Sequence, residues 1–218
     1  CMESYGLHCL KNFDGVCCSG LKVSIPGRGS ENRLLKKVLE QAGADIVSAQ
    51  RGVVSFSVSP DGSLTASDES GIILDGEKAL LCALRCMMVC GKKELSVPKD
   101  APAALRYMAE QFGCRLISPE KDRQAAGAAY AGTPYDGVFL ACVICSYMAK
   151  ENIPLSDISS KIPPYHIARG EISLPGSAAS FLRYLRTSAF SEAAAEFDDG
   201  LKILYGKSFA SLTPSFDG

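Results

Sequence analysis

The chain has 218 residues, 47% hydrophobic and 22% charged, which is enough apolar material to bury a core in one large domain or in two to three small ones. Twenty-three Lys and Arg against 24 Asp and Glu leave a net charge of -1 with no long run of either sign, which argues against nucleic acid or an anionic membrane as an obligatory partner. The longest apolar run, residues 138–145, falls short of the roughly 20 residues a spanning helix needs, and the N-terminus shows neither a basic segment nor an apolar signal core, so a cytoplasmic location is expected.

In chain order, Leu21-Lys-Val-Ser-Ile25 reads as a buried strand and Pro26-Gly-Arg-Gly-Ser30 as a turn. Residues 31–42 read as a helix with apolar positions at 34, 35, 38 and 39, stopped by Gly43, and 45–48 as a second strand. A β-α-β opening of this kind builds parallel sheets. Residues 53–58 alternate hydrophobic and small polar side chains, Pro60-Asp-Gly62 is a turn, and 64–66 and 72–74 continue as an antiparallel edge. A helix over 76–90 closes this part, and Gly91-Lys-Lys93 marks a boundary. The same logic then recurs as strand 94–97, helix 101–111, strand 114–117 and a long helix over 135–150. After Pro154, Pro163 and Pro164, the tail from His166 reads strand, helix 177–186, strand 201–205, strand 208–212. The fold class that follows is α/β, with two successive small α/β/α units and a small α+β C-terminal domain. The expected domains are 1–92, 93–165 and 166–218.

Ten cysteines would suggest a disulfide framework in a small secreted chain, but their positions favour buried thiols. Cys82, Cys86 and Cys90 recur at four-residue spacing and form one helical stripe expected to face the core. Cys142 and Cys145 lie in an apolar run without the turn residues that present a metal or redox pair. Such cysteine-rich helices suit a subunit interface as well as a domain interior. Neither of the two histidines, His8 and His166, lies near cysteines or carboxylates at metal-ligand spacing, so no metal site is expected.

Several strings, in order and spacing, resemble the α-D-phosphohexomutases, the phosphomannomutase and phosphoglucomutase family. Leu21-Lys-Val with its helix and Gly43-Ala-Asp-Ile46 resembles the start of that family's second domain, and Asp68-Glu-Ser-Gly-Ile-Ile-Leu-Asp-Gly76 the strand-turn-strand after its metal loop. Asp136-Gly-Val-Phe-Leu-Ala141 resembles the head of the third domain's long helix. Phe197-Asp-Asp-Gly-Leu-Lys-Ile203 and Phe209-Ala-Ser-Leu-Thr-Pro-Ser215 resemble the fourth domain's strands. The resemblance implies a protein that handles hexose phosphates. The family moves a phosphoryl group through a phosphoserine in its first domain, which has no counterpart here, so no residue inherits the nucleophile's role. The 218 residues are expected to be part of a longer polypeptide.

The family's magnesium loop, D-G-D-A-D-R, can be laid on this chain by counting back from Asp68-Glu-Ser-Gly71. Its three carboxylate positions fall on Val58, Pro60 and Gly62, and its arginine on Ser63, so no magnesium and no other cofactor is expected. The sugar motif G-E-x-S-G-H is absent between Cys114 and Asp136, but Lys121-Asp-Arg123 resembles the family's G-D-R-type segment that precedes it, and the resemblance implies Asp122 and Arg123 as candidate sugar or anion contacts. Where the family's fourth domain has R-P-S-G-T-E-P, this chain ends Thr213-Pro-Ser-Phe-Asp-Gly218. Thr213 and Ser215 are the candidate phosphate contacts. Losing the arginine removes a charge-assisted bond of about 1.5–3 kcal/mol, and Asp217 adds repulsion, so hexose phosphate should bind weakly. Arg28, in the turn before the first helix, is a further candidate anion contact. The expectation is a degenerate, non-catalytic phosphohexomutase-like module, of the kind appended to a sugar-1-phosphate nucleotidyltransferase such as a mannose-1-phosphate guanylyltransferase. The alternatives are the C-terminal part of an active mutase, or an unrelated α/β protein.

Overall fold

The computed structural model describes residues 17–97, 102–117, 136–168, 170–171, 177–188, 195–197, 201–205 and 208–212. Within them the first β-α-β unit forms as its pattern dictates. Strand β1 (Lys22–Ser24) leads to helix α1 (Ser30–Gln41), whose Leu35, Val38 and Leu39 are buried, and the chain returns as β2 (Asp45–Val47), parallel to β1. Six residues, 48–53, then carry the chain past β1 to its other side, where β3 (Val54–Val58) pairs with it in parallel. β4 (Leu64–Ser67) and β5 (Ile73–Leu74) follow as antiparallel neighbours, completing a five-stranded sheet in the order β2-β1-β3-β4-β5. The period-2 alternation of β3 works as read: Val54, Phe56 and Val58 are buried, and Ser55 and Ser57 are half-buried.

Helix α2 (Gly76–Val89) begins on Asp75, whose side chain accepts a hydrogen bond from the Lys78 amide. Helix α4 (Gly137–Glu151) packs against both α1 and α2 and against β3 and β4. That placement explains its composition. A helix touching a sheet and two helices has almost no solvent face, and every residue from Gly137 to Cys145 is buried. The long helix expected in the second α/β portion therefore shares its core with the first sheet. Among the described residues, no helix is long and apolar enough to cross a membrane.

Between α2 and α4 lies a second parallel unit: β6 (Glu94–Ser96), α3 (Ala103–Phe112) and β7 (Arg115–Ile117). It repeats the first in detail. Glu40-Gln-Ala-Gly-Ala-Asp-Ile-Val-Ser48 corresponds to Glu110-Gln-Phe-Gly-Cys-Arg-Leu-Ile-Ser118, and Val23-Ser-Ile-Pro26 to Leu95-Ser-Val-Pro98. The helix ends match bond for bond. Gly43 and Gly113 both have positive φ (90° and 59°), their amides donate to the Glu40 and Glu110 carbonyls, and the next amides donate to those of Leu39 and Ala109. Opposite charges face each other in both strand pairs with signs exchanged, Lys22 beside Asp45 and Glu94 beside Arg115. The Arg85 guanidinium lies 5.2 Å from the Phe112 ring centre and links α2 to α3.

The chain divides into two compact units, the first comprising Cys1–Lys99 and Ala104–Pro164, the second Tyr165–Gly218 with Asp100–Ala103. The second contains helix α6 (Ala178–Ser188) and a three-stranded antiparallel sheet in the order β10-β9-β8. Its strands are β8 (Ala195–Phe197), β9 (Leu201–Tyr205) and β10 (Ser208–Leu212). Here the order differs from the reading of the tail. Of residues 166–176, where a strand is expected, the described ones (166–168 and 170–171) contain none and the others lie outside the described residues, while a short strand that the reading lacks follows the helix, Phe197 pairing with Leu201. Helix α5 (Leu155–Ser160), with Leu155 and Ile158 buried, is also absent from the sequence reading.

Cys18, Cys82, Cys86, Cys114, Cys142 and Cys145 are buried cysteines. Cys90, read as part of the core stripe, is exposed because α2 ends at Val89 and leaves it past the last turn. Burial pushes the Cys18 and Cys82 thiols up to about 12 and raises those of Cys86 and Cys145 well above the ordinary value. Cys17 is the contrast. It is exposed, its Sγ lies 3.5 Å from Ser19 Oγ, and hydrogen bonding from the Ser19 side chain, then its backbone, lowers the thiol. Because the thiolate is the nucleophile, iodoacetamide at neutral pH should alkylate Cys17 in the native protein long before Cys86 or Cys145. Ser19→Ala should move the Cys17 rate profile to higher pH. Peptide mass mapping reads both, and early labelling of Cys145 would contradict the burial.

Candidate functional site

The first place to look for a ligand in an open α/β sheet is the crevice at the carboxyl ends of strands where the order reverses. Here that is the gap between β1 and β3. The two strands pair at Val23↔Val54 and Ser24↔Ser55, after which β3 runs on past β1 through Phe56, Ser57 and Val58, paired there with β4 on its other side. Asn32, in the first turn of α1 and 4% exposed, fills the gap. Its Nδ2 donates to the Val58 carbonyl at 2.7 Å and its Oδ1 accepts from the Val58 amide at 2.9 Å, so one side chain replaces a missing strand. Gly27 lies directly against it, and a Cβ there would come within 2.4 Å of the Asn32 amide. The crevice is occupied by the protein itself.

Arg28, beside Gly27, is exposed. The α1 N-terminus next to it already carries an internal anion. The Glu31 carboxylate accepts from Ser30 Oγ at 2.9 Å, and its own backbone amide, then the Ser30 hydroxyl, holds it below the usual carboxylate range. An incoming phosphate at Arg28 would compete with that carboxylate.

The loop aligned with the magnesium motif is a closed hairpin turn. The Ser59 amide donates to the Ser63 carbonyl and the Gly62 amide to the Ser59 carbonyl, both at 2.9 Å. Asp61 Oδ1 accepts from the Ser63 amide at 3.0 Å and its hydroxyl at 2.8 Å, and these bonds hold the carboxyl below its ordinary value. Helix α4 seals the turn from below. The Gly137 amide donates to the Gly62 carbonyl at 2.8 Å, while Asp136 caps the helix by accepting from the Val138 amide at 2.8 Å. A Cβ on Gly137 would meet Gly62 O at 2.8 Å, Val58 Cγ1 at 3.0 Å and Leu64 N at 3.2 Å.

These residues do not fit magnesium. The ion needs near-octahedral oxygen ligands with one or two carboxylates facing it. Of the aligned positions Val58 is buried and apolar, Pro60 and Gly62 offer no side-chain oxygen, and the Ser63 hydroxyl is turned onto Asp61. Among the described residues no three His, Cys, Asp or Glu side chains group in a way that could hold a metal ion.

The Asp68-Glu-Ser-Gly71 string serves the framework. Asp68, 3% exposed, accepts from the Ser70 and Ile72 amides, both at 2.9 Å, and shapes the turn between β4 and β5. Glu69 reaches 86 residues along the chain. Its Oε1 accepts from the Leu155 amide at 2.7 Å and its Oε2 from the Ser156 amide at 3.2 Å, capping α5, which has only Pro154 at its own N-cap. Sequence reasoning missed this role, for which no local signal exists. Glu69→Ala should cost about 1 kcal/mol, the usual worth of a cap, and should accelerate amide exchange in Leu155–Ser160 ahead of the sheet. Unchanged exchange there would contradict the capping role.

The candidate contacts Asp122, Arg123, Thr213 and Ser215 lie outside the described residues.

No protein-family model and no curated protein matches the chain. Solved structures do. A phosphoglucomutase/phosphomannomutase family protein from Burkholderia thailandensis aligns with a TM-score of 0.67 at 13% identity, over 98% of this chain and 57% of that one. A protein of Thermus thermophilus assigned as a phosphomannomutase aligns with a TM-score of 0.62 at 11% identity, over 98% of this chain and 60% of that one. The chain thus spans less than two thirds of the length of these neighbours. Taken with the mixed five-stranded sheet and its helices, these likenesses establish that the chain has a phosphohexomutase-like fold.

Proposed function

We propose that this chain is a phosphohexomutase-like module that has given up magnesium-dependent phosphoryl transfer and serves binding or assembly within a protein of sugar-phosphate or nucleotide-sugar metabolism. The observation that carries the reading is the hairpin turn Ser59–Ser63: it offers one carboxylate, Asp61, already engaged by Ser63, and its Gly62 carbonyl is bonded to Gly137. Phosphoryl transfer requires a cation to neutralise charge on the transferring group, and one surface aspartate cannot hold it. In this reading residues 1–92, 93–165 and 166–218 correspond to the family's second, third and fourth domains. Thr213 and Ser215 are what remains of its phosphate contacts, with Asp122, Arg123 and Arg28 as secondary anion contacts. The resemblance to fused arrangements supports a sugar-1-phosphate nucleotidyltransferase as the neighbouring domain in the full polypeptide, and N-terminal sequencing of the natural protein tests that part.

The experiment for the main claim incubates the full polypeptide with glucose 1-phosphate or mannose 1-phosphate, a catalytic amount of the bisphosphate and magnesium. No conversion to the 6-phosphate above the enzyme-free control is expected, and calorimetry should show hexose 6-phosphate binding no tighter than millimolar. Magnesium-dependent turnover abolished by EDTA would instead make the chain the C-terminal part of an active mutase.

A further inference from the structure

We draw no further inference here: the strongest candidate, the exposed apolar pair Ile72 and Ile73 at the edge strand β5 of the five-stranded sheet, carries nothing because nothing in the structure shows what covers it.

Discussion

Replacing Asn32 by alanine should lower the unfolding free energy of the first compact unit by about 3 kcal/mol. The truncation strands the Val58 amide and carbonyl, both bonded to Asn32 in the gap where β3 has outrun β1. A buried polar group left without a partner costs about 1–3 kcal/mol, and two are exposed to that penalty here. For a chain of this size the loss corresponds to a fall in Tm of roughly 6–12 °C. Asn32→Asp is the sharper variant. Its carboxylate keeps the shape and still accepts from the Val58 amide, but it presents an acceptor to the Val58 carbonyl, so it should destabilise at least as much as alanine at neutral pH. Thermal unfolding followed by circular dichroism decides the matter, and a Tm within about 2 °C of the parent for both variants would show that the crevice is not held by Asn32.

The second large effect is at Gly137, where the sign itself is informative. Alanine is favoured over glycine inside a helix by up to about 1 kcal/mol, so at an unobstructed position Gly137→Ala would raise stability. The three atoms a Cβ would meet, Gly62 O, Val58 Cγ1 and Leu64 N, belong to the hairpin, and two of them are backbone. They cannot rotate away as the end of a flexible side chain can. Overpacking of this kind costs about 1–3 kcal/mol, occasionally more, and the displaced Gly137 amide loses its bond to Gly62. A net loss of about 2 kcal/mol is expected, with faster amide exchange at Gly62 and Gly137 ahead of the rest of the unit. An unchanged or raised Tm would mean that α4 does not press on the hairpin.

The elements of the fold were legible wherever a period and a stop signal coincide. Leu35, Val38 and Leu39 mark the buried stripe of α1, Gly43 ends it, and the alternation of Val54, Phe56 and Val58 gives β3 its buried face. What the sequence did not disclose are contacts between distant residues. An asparagine in a first helical turn looks like a solvated polar residue, yet Asn32 is tied to Val58, 26 positions on. Glu69 reads as a turn residue, and only the fold brings α5 to it. Gly137 was legible as the head of a helix, but its reason for lacking a side chain is the Ser59–Ser63 turn that it touches. The tail misled because Ala195–Phe197 is too short to show alternation within an alanine-rich stretch.

At the hairpin itself, the alignment of Val58, Pro60 and Gly62 with metal-binding carboxylates is what the family resemblance implies, and spacing alone does not give it. The structure adds that the Gly62 carbonyl, the Val58 backbone and one Asp61 oxygen are bonded within the protein.

The most direct measurement is therefore a manganese titration of the isotopically labelled chain, since Mn²⁺ takes the same oxygen ligands as Mg²⁺ and broadens nearby amide resonances. No selective, saturable broadening is expected at Ser59–Ser63, only the weak and diffuse effect common to exposed carboxylates. Saturable broadening centred on Asp61, Gly62 and Ser63 and reversed by magnesium would contradict that expectation.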